Sequence, residues 1–445
     1  MADSVRTMSL VGFMQASNVT VYSGAWRHPD ADPGFLTAGY YQRIGQVLEQ
    51  GCFDLVFFDD RLAMPGIYGD SVAETVRTGA RTVKLDLSVT LGVIAAATRH
   101  LGLGATYSTT YYPPFHVART FATLDHLSAG RAAWNVVTSV NDAEAQNFGV
   151  DVHVAHDERY DRADEFLEAT FGLWDTWEDG AIIGDKASGT FADPAKVHEL
   201  NYEGKHYRTR GPLTVPRCPQ GRPVIIQAGS SGRGRQFASR WADLVFTNDH
   251  THALALAHYQ DQKAQVAALG RDPDAVKVLP LVYVVAAATE AEAAAEEHRL
   301  LEELVDPMAS LVLLGEVTNL DFSRFGLDEP IPDDFLDTAS GIRGFLDGVR
   351  AHLPGRALTL RDIAAHRATL RSSPRFVGTG PQIAEEMEHW LASGACDGFV
   401  IAATHLPGTF EQVVRYVTPE LQRRGLLRDR YEGATLRENL GLARP

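Results

Sequence analysis

This sequence predicts an α/β fold, a closed (β/α)8 TIM barrel with long insertions, and three observations predict it. Eight short, apolar, β-rich runs recur along the chain, and longer stretches of helical periodicity separate them. The first run is not followed by the GxGxxG turn of an open dinucleotide-binding sheet. Parallel strands read as continuous apolar runs because both of their faces are covered.

The elements follow in order. Ser9 to Met14 is the first strand, with a helix over Tyr40 to Gln50, and Phe53 to Phe58 is the second. Leu101 to Tyr107 is the third, backed by Pro114 to Leu127, and Ala132 to Thr138 the fourth, backed by Glu158 to Trp174. Pro223 to Ala228 and Ala242 to Thr247 are the fifth and sixth, with His252 to Ala268 after them. Val278 to Ala286 is the seventh and leads to a helix over Glu290 to Val305. Pro381 to Ala392 precedes the eighth, Gly398 to Ala402, and Thr409 to Arg423 follows it. Eight such alternations point to a closed barrel; an open doubly wound sheet is the alternative, since strand count does not by itself prove closure.

Residues 1–445 are read as one barrel domain with insertions at about 64–85, 179–222 and 306–376. Long insertions between barrel elements are where lids over a site are kept. The last insertion carries its own helical pattern around Thr338 to Leu353, and the tail at about 426–445 is expected to be an arm that packs in an oligomer.

Hydrophobic residues at 45% and charged ones at 22% describe an ordinary globular chain. With 57 acidic against 41 basic side chains the net charge is −16, which disfavours nucleic acid and anionic membranes as partners. Cys52, Cys218 and Cys396 are scattered and form no metal or disulfide spacing. The first ten residues hold no apolar signal core, and no run reaches the roughly 18 apolar residues of a span. A cytoplasmic protein is expected.

Barrel sites gather where strands end, so the polar residues after each run are candidates. They are Asp59 and Asp60 after the second run, Thr106, Ser108 and Thr109 at the third, Asn135, Thr138 and Ser139 at the fourth, and Gln227, Ser230 and Ser231 at the fifth. A rim of mostly neutral hydrogen-bonding groups suits a flat heteroaromatic cofactor, although ordinary strand capping uses the same residues. Gln227-Ala228-Gly229-Ser230-Ser231-Gly232-Arg233-Gly234-Arg235 follows a strand and opens a helix. Exposed N–H groups, hydroxyls and guanidinium groups there form a phosphate cradle; a plain turn is the alternative.

His153, His156, Asp157, Glu158 and Tyr160 precede a helix and admit a metal site, a first turn that complements the helix dipole, or a phosphate or ribityl contact from His156 and Tyr160. The last is favoured, and no metal is expected. His28 and His116 are either structural or general acid/base groups. No Gly-x-Ser-x-Gly elbow or Cys/His pairing supports nucleophilic hydrolysis.

Tyr-Tyr-Pro-Pro-Phe-His-Val-Ala-Arg over 111–119 and Leu-Asp-His-Leu-Ser-Ala-Gly-Arg-Ala-Ala-Trp-Asn-Val-Val-Thr-Ser over 124–139 resemble signature segments of the bacterial luciferase-like flavin monooxygenases. Segments 24–28, 141–145, 156–166, 191–198 and 219–229 extend the resemblance over nearly the whole chain. It points to the branch that holds nitrilotriacetate monooxygenase component A, the pristinamycin IIA synthase large subunit and dibenzothiophene-sulfone monooxygenase, with the sulfone enzymes nearest.

The resemblance implies a luciferase-like barrel, a homodimer or homotetramer, that uses O2 and FMNH2, a dissociable co-substrate from a separate NAD(P)H:FMN reductase. It carries FMN contacts onto Asp60, Thr106, His156, Tyr160 and Ser231, beside Ser230 of the cradle, and sets Asn135 and Ser139 near the ring as catalytic candidates. It puts the phosphate after the fifth strand, not after the seventh and eighth where barrels usually bind one.

For the substrate pocket, Phe13 and Phe246 suggest an aromatic wall as in the sulfone enzymes, joined by His28 and Asn248, while Thr20, Asn248 and Glu316 depart from that pattern. An aryl sulfone or other organosulfur compound oxygenated with C–S cleavage is the first expectation; an amine, aminocarboxylate or heterocycle is the second. Other readings are deazaflavin-dependent hydride transfer, a flavin-binding protein without catalysis and a metal-dependent barrel hydrolase.

Overall fold

The protein is seen in a computed structural model that describes residues 6–139, 141–151, 156–229, 231–339, 350, 353, 355, 357–368 and 373–445, without the side chains of 156–157 and 366–368. The barrel strands are β1 (Ser9–Met14), β2 (Leu55–Phe58), β3 (Gly102–Ser108), β4 (Ala132–Val137), β5 (Val224–Gln227), β6 (Leu244–Thr247), β7 (Lys277–Ala286) and β8 (Gly398–Ala402). Each pairs in parallel with its neighbour in chain order, and β8 pairs with β1 to close the ring. All eight expected strands are present.

Successive side chains on a strand point to opposite faces. Leu10, Met14, Val56, Phe58, Leu103, Trp134 and Ile401 therefore pack outward against the helices. Val11, Phe13, Leu55, Phe57, Val224, Leu244, Phe246 and Val400 alternate with them and fill the barrel. Gly12 is bare because a Cβ there would lie 2.8 Å from Leu48 of the helix Ala38–Gln50, which packs directly on β1.

A further strand, Arg375–Gly378, pairs with the outer half of β7 at Tyr283 to Ala286, in a segment expected to be insertion. Segment 179–222 forms two short hairpins, Ile182–Asp185 with Thr190–Ala192 and Tyr202–Glu203 with Arg208–Thr209. Segment 306–376 contributes the helices Pro307–Thr318 and Leu360–Ala368; most of the helix expected over 338–353 lies outside the described residues.

The C-terminal residues pack on their own barrel. Leu436, Leu440 and Leu442 join the interior cluster, and Arg437 donates to Asp243 at 2.7 Å and to the Arg222 carbonyl at 3.0 Å, at the N-terminal ends of β5 and β6. Among the described residues no helix is long and apolar enough to cross a membrane.

Candidate active site

Strand ends β2 to β5 converge on a cavity of about 240 Å3, lined by Asp59, Asp60, Arg61, Thr106, Asn135, Ser139, Glu144, Tyr160, Gln227 and Gly229. Asp60, Thr106, Asn135 and Ser139 thus meet at one place because neighbouring parallel strands end side by side, and Tyr160, a hundred residues after Asp60, joins them from the helix His156–Trp174. Asn135 Nδ2 donates to Thr106 Oγ1 at 2.9 Å, and Thr106 Oγ1 donates to the Phe58 carbonyl at 2.9 Å. That chain fixes the Asn135 amide with its Oδ1 buried and without a hydrogen-bond partner among the described residues. Ser139 donates to Ser108 Oγ at 2.9 Å from a left-handed backbone, φ 56°, a conformation held at a cost by its surroundings.

One end of the cavity is a cradle of backbone. Ser231 caps the helix Gly232–Trp241, and its Oγ accepts the Gly234 N–H at 3.0 Å. The Tyr160 hydroxyl lies between Ser231 and Gln227, and a Cβ at Gly229 or Gly234 would come within 2.9 or 2.8 Å of it. Arg233 stands 5.7 Å over the Tyr160 ring. Burial pushes the Tyr160 phenol up, so it is a neutral donor. Ser230, His153 and the side chain of His156 lie outside the described residues.

The two adjacent carboxylates behave differently. Burial raises Asp59, but Lys84 at 3.1 Å together with Arg81 and Arg61 outweighs it and holds the carboxyl below its usual range. Asp60 is pushed up to about 7, first by burial and further by Asp59, against the opposing pull of Lys84. The folded chain thus keeps a proton on Asp60 through the window from about 4 to 7 that the unfolded chain releases, so stability falls as pH rises across that window. Asp60→Asn is expected to be the more stable protein above pH 7, by about 2 kcal/mol, with the difference gone below about pH 4. Urea unfolding at both pH values checks this.

None of the four residues expected in a substrate pocket, Phe13, His28, Phe246 and Asn248, lines this cavity. His28 is buried on the other side, its Nε2 2.7 Å from Glu296, its Nδ1 accepting the Asp30 N–H and its ring stacked at 3.6 Å on His405. Burial pushes the His405 imidazole down to about 3. Stacked rings cannot both aim in-plane lone pairs at one ion, so His28, Asp30 and His405 make a poor metal site despite their proximity. Asn248 is exposed and accepts from Ser373 Oγ at 2.9 Å. Phe13 and Phe246 do come together, each 5.1 Å from Phe57, in the barrel layer nearest the strand ends. Arg61, Glu144 and Lys84 were not expected; being charged and set in a loop or helix, they fall outside a search of neutral strand ends.

The same barrel recurs among known proteins. Residues 18–397 match the model of the luciferase-like monooxygenase family. The chain belongs to the luciferase-like monooxygenases. It is 48% identical over 444 residues to dibenzothiophene-sulfone monooxygenase from Rhodococcus erythropolis, covering 99% of this chain and 98% of that one. It is 41% identical to nitrilotriacetate monooxygenase component A from Aminobacter aminovorans, covering 99% and 97%. The crystal structure of a riboflavin lyase with modified FMN and riboflavin superposes with a TM-score of 0.87 at 32% identity, over 98% of this chain and 96% of that one. This luciferase-like monooxygenase is accordingly a flavin-dependent enzyme that uses O2.

Proposed function

We propose that this luciferase-like monooxygenase takes FMNH2 from a separate NAD(P)H:FMN reductase and oxygenates a small organosulfur compound, an aryl sulfone first, with cleavage of a C–S bond. The observation that carries the flavin site is the pairing of an orphaned acceptor with a bare backbone cradle. Asn135 Oδ1 is buried without a partner among the described residues, as suits a ring N–H, and Gly229 and Gly234 keep open a space beside the Tyr160 hydroxyl that any Cβ would fill. Ser231, Tyr160 and the helix N-terminus would hold the phosphate, and Asp60, Thr106, Asn135 and Ser139 the ring and ribityl chain. Reduced flavin, when bound, supplies the electrons that activate O2.

The chain's own residues orient and protect. The chain from Asn135 through Thr106 to Phe58 locks the amide before any ligand arrives, so no reorganisation is needed on binding. Asp60, near half-protonated at neutral pH, can hold or release a proton at its carboxyl beside the ring. Phe13, Phe57 and Phe246, packed on one another inside the barrel, would give an aryl group an apolar aromatic wall and keep water away. The 48% identical relative named for dibenzothiophene sulfone supports this substrate class. Three buried free cysteines suit a reducing cytoplasm. We also take the enzyme to be a homodimer or homotetramer, which light scattering would establish.

The test is anaerobic titration with FMNH2, followed by O2 and dibenzothiophene sulfone, with product analysis. Oxygenated, ring-opened product in proportion to FMNH2 consumed supports the proposal; H2O2 alone, with no sulfone consumed, sinks it. Tyr160→Phe is expected to weaken flavin binding by about 1–2 kcal/mol through one lost hydrogen bond to phosphate. An unchanged FMNH2 titration would put the phosphate elsewhere.

A further inference from the structure

The helix Pro307–Thr318 is buried from Ala309 to Thr318, and Glu316 is its single charged residue. A carboxylate in an apolar helix needs strong compensation. Glu316 is 4% exposed, and neither of its oxygens has a hydrogen-bond partner among the described residues. Its counter-charges are Arg61, with Nε at 3.9 Å, and Arg81, with Nη1 at 3.7 Å, near enough for attraction and too far for a hydrogen bond. The two guanidinium side chains are 20% and 10% exposed, and among the described residues neither donates a side-chain hydrogen bond. Lys84, by contrast, is committed to Asp59 at 3.1 Å. Arg61 lines the cavity assigned above to the flavin. Arg81 stands behind it, reaching Glu316 from the 64–85 segment on a left-handed backbone, φ 56°.

We propose that Arg61 and Arg81 form a clamp for the oxygen atoms of the substrate, and that Glu316 is the specificity-determining counter-charge that makes the clamp prefer neutral oxo groups to anionic acids. The proposal rests on the organosulfur reading and names the part of the site that would recognise the S=O oxygens. Two planar guanidinium forks with uncommitted donors are made to grip acceptor oxygens. The cations around them are already matched: Arg61, Arg81 and Lys84 face Asp59, Glu144 and Glu316, with the Asp60 carboxyl beside Arg61 in addition. A sulfone offers two acceptors and no charge. A sulfonate or carboxylate brings an unneeded negative charge next to three carboxylates and loses its hydration for no net attraction.

The experiment uses the FMN-loaded protein and two probes, diphenyl sulfone and benzenesulfonate, with binding read by calorimetry and without turnover. The wild type should bind the sulfone more tightly. Arg81→Gln should weaken the sulfone about tenfold or more while FMN affinity is unchanged. Arg81→Lys, which keeps the charge and loses the fork, should weaken the sulfone and keep the preference over sulfonate. Glu316→Gln should shift the preference toward sulfonate by about tenfold, since one positive charge is left uncompensated. An unchanged preference in folded Glu316→Gln overturns the proposal. So does a wild type that binds neither probe or prefers sulfonate, or an Arg81 variant that loses FMN as much as sulfone, which would give the clamp to the flavin. Binding with this selectivity but no oxygenated product would sink the organosulfur reaction and leave the clamp standing.

Discussion

Gly234→Val is expected to lower flavin affinity at least about a hundredfold, roughly 3 kcal/mol, in a chain that still folds. A Cβ at this position would sit 2.8 Å from the Tyr160 hydroxyl and 3.1 Å from the backbone of Gly229. The first contact can be relieved by moving the phenol, but the phenol is the proposed phosphate donor. The second is with backbone and cannot be relieved without shifting the turn that presents its N–H groups. A branched side chain would occupy both spaces at once. The fold should survive because the helix Gly232–Trp241 is anchored further along by Phe237 and Ala238, each at most 1% exposed. Anaerobic FMNH2 titration beside a thermal melt separates the two effects. Near-normal affinity with a normal melt would show that the phosphate does not use this cradle.

The barrel was legible because its strands are nearly continuous apolar runs with helices of matching period between them. What escaped was small or masked by context. Arg375–Gly378 is four residues long and straddles the end of the 306–376 segment read as insertion, so no periodicity distinguishes it. The rim was legible too: Thr106, Asn135 and Gln227 each stand at the end of an apolar run, and parallel pairing brings such ends together. The direction of a side chain on a long loop was not. His28 lies near the rim in sequence, yet the loop carries it to Glu296 and His405, which no local pattern encodes. The Arg61, Arg81 and Glu316 group was visible only in part. A lone Glu in the apolar stretch Pro307 to Thr318 is a signal, but its partners are more than two hundred residues away.

Gly398→Ala should be the most destabilising single-methyl change in the barrel, at about 4 kcal/mol or more, because it strikes the seam where the ring closes. Gly398 opens β8 opposite Ser9 of β1, with φ +151°, and a Cβ would lie 1.9 Å from the Ser9 carbonyl oxygen. Both partners are backbone, so no rotamer relieves the overlap, and the strands can only move apart. Parting them breaks the Ser9 N–H bond to the Asp397 carbonyl, 3.0 Å. It also disturbs Asp397, whose carboxylate accepts the Val278 N–H at 2.8 Å and pairs with Lys263 at 3.1 Å, so the neighbouring β7 is loosened as well. Gly39→Ala is the matched control. It lies early in the helix Ala38–Gln50 with nothing within 4 Å of the added methyl, and should stabilise by about 0.5–1 kcal/mol through helix propensity. Opposite shifts of the urea midpoint in the two variants are the expected result. A Gly398→Ala midpoint within experimental error of wild type would mean that β8 and β1 do not meet in the register described.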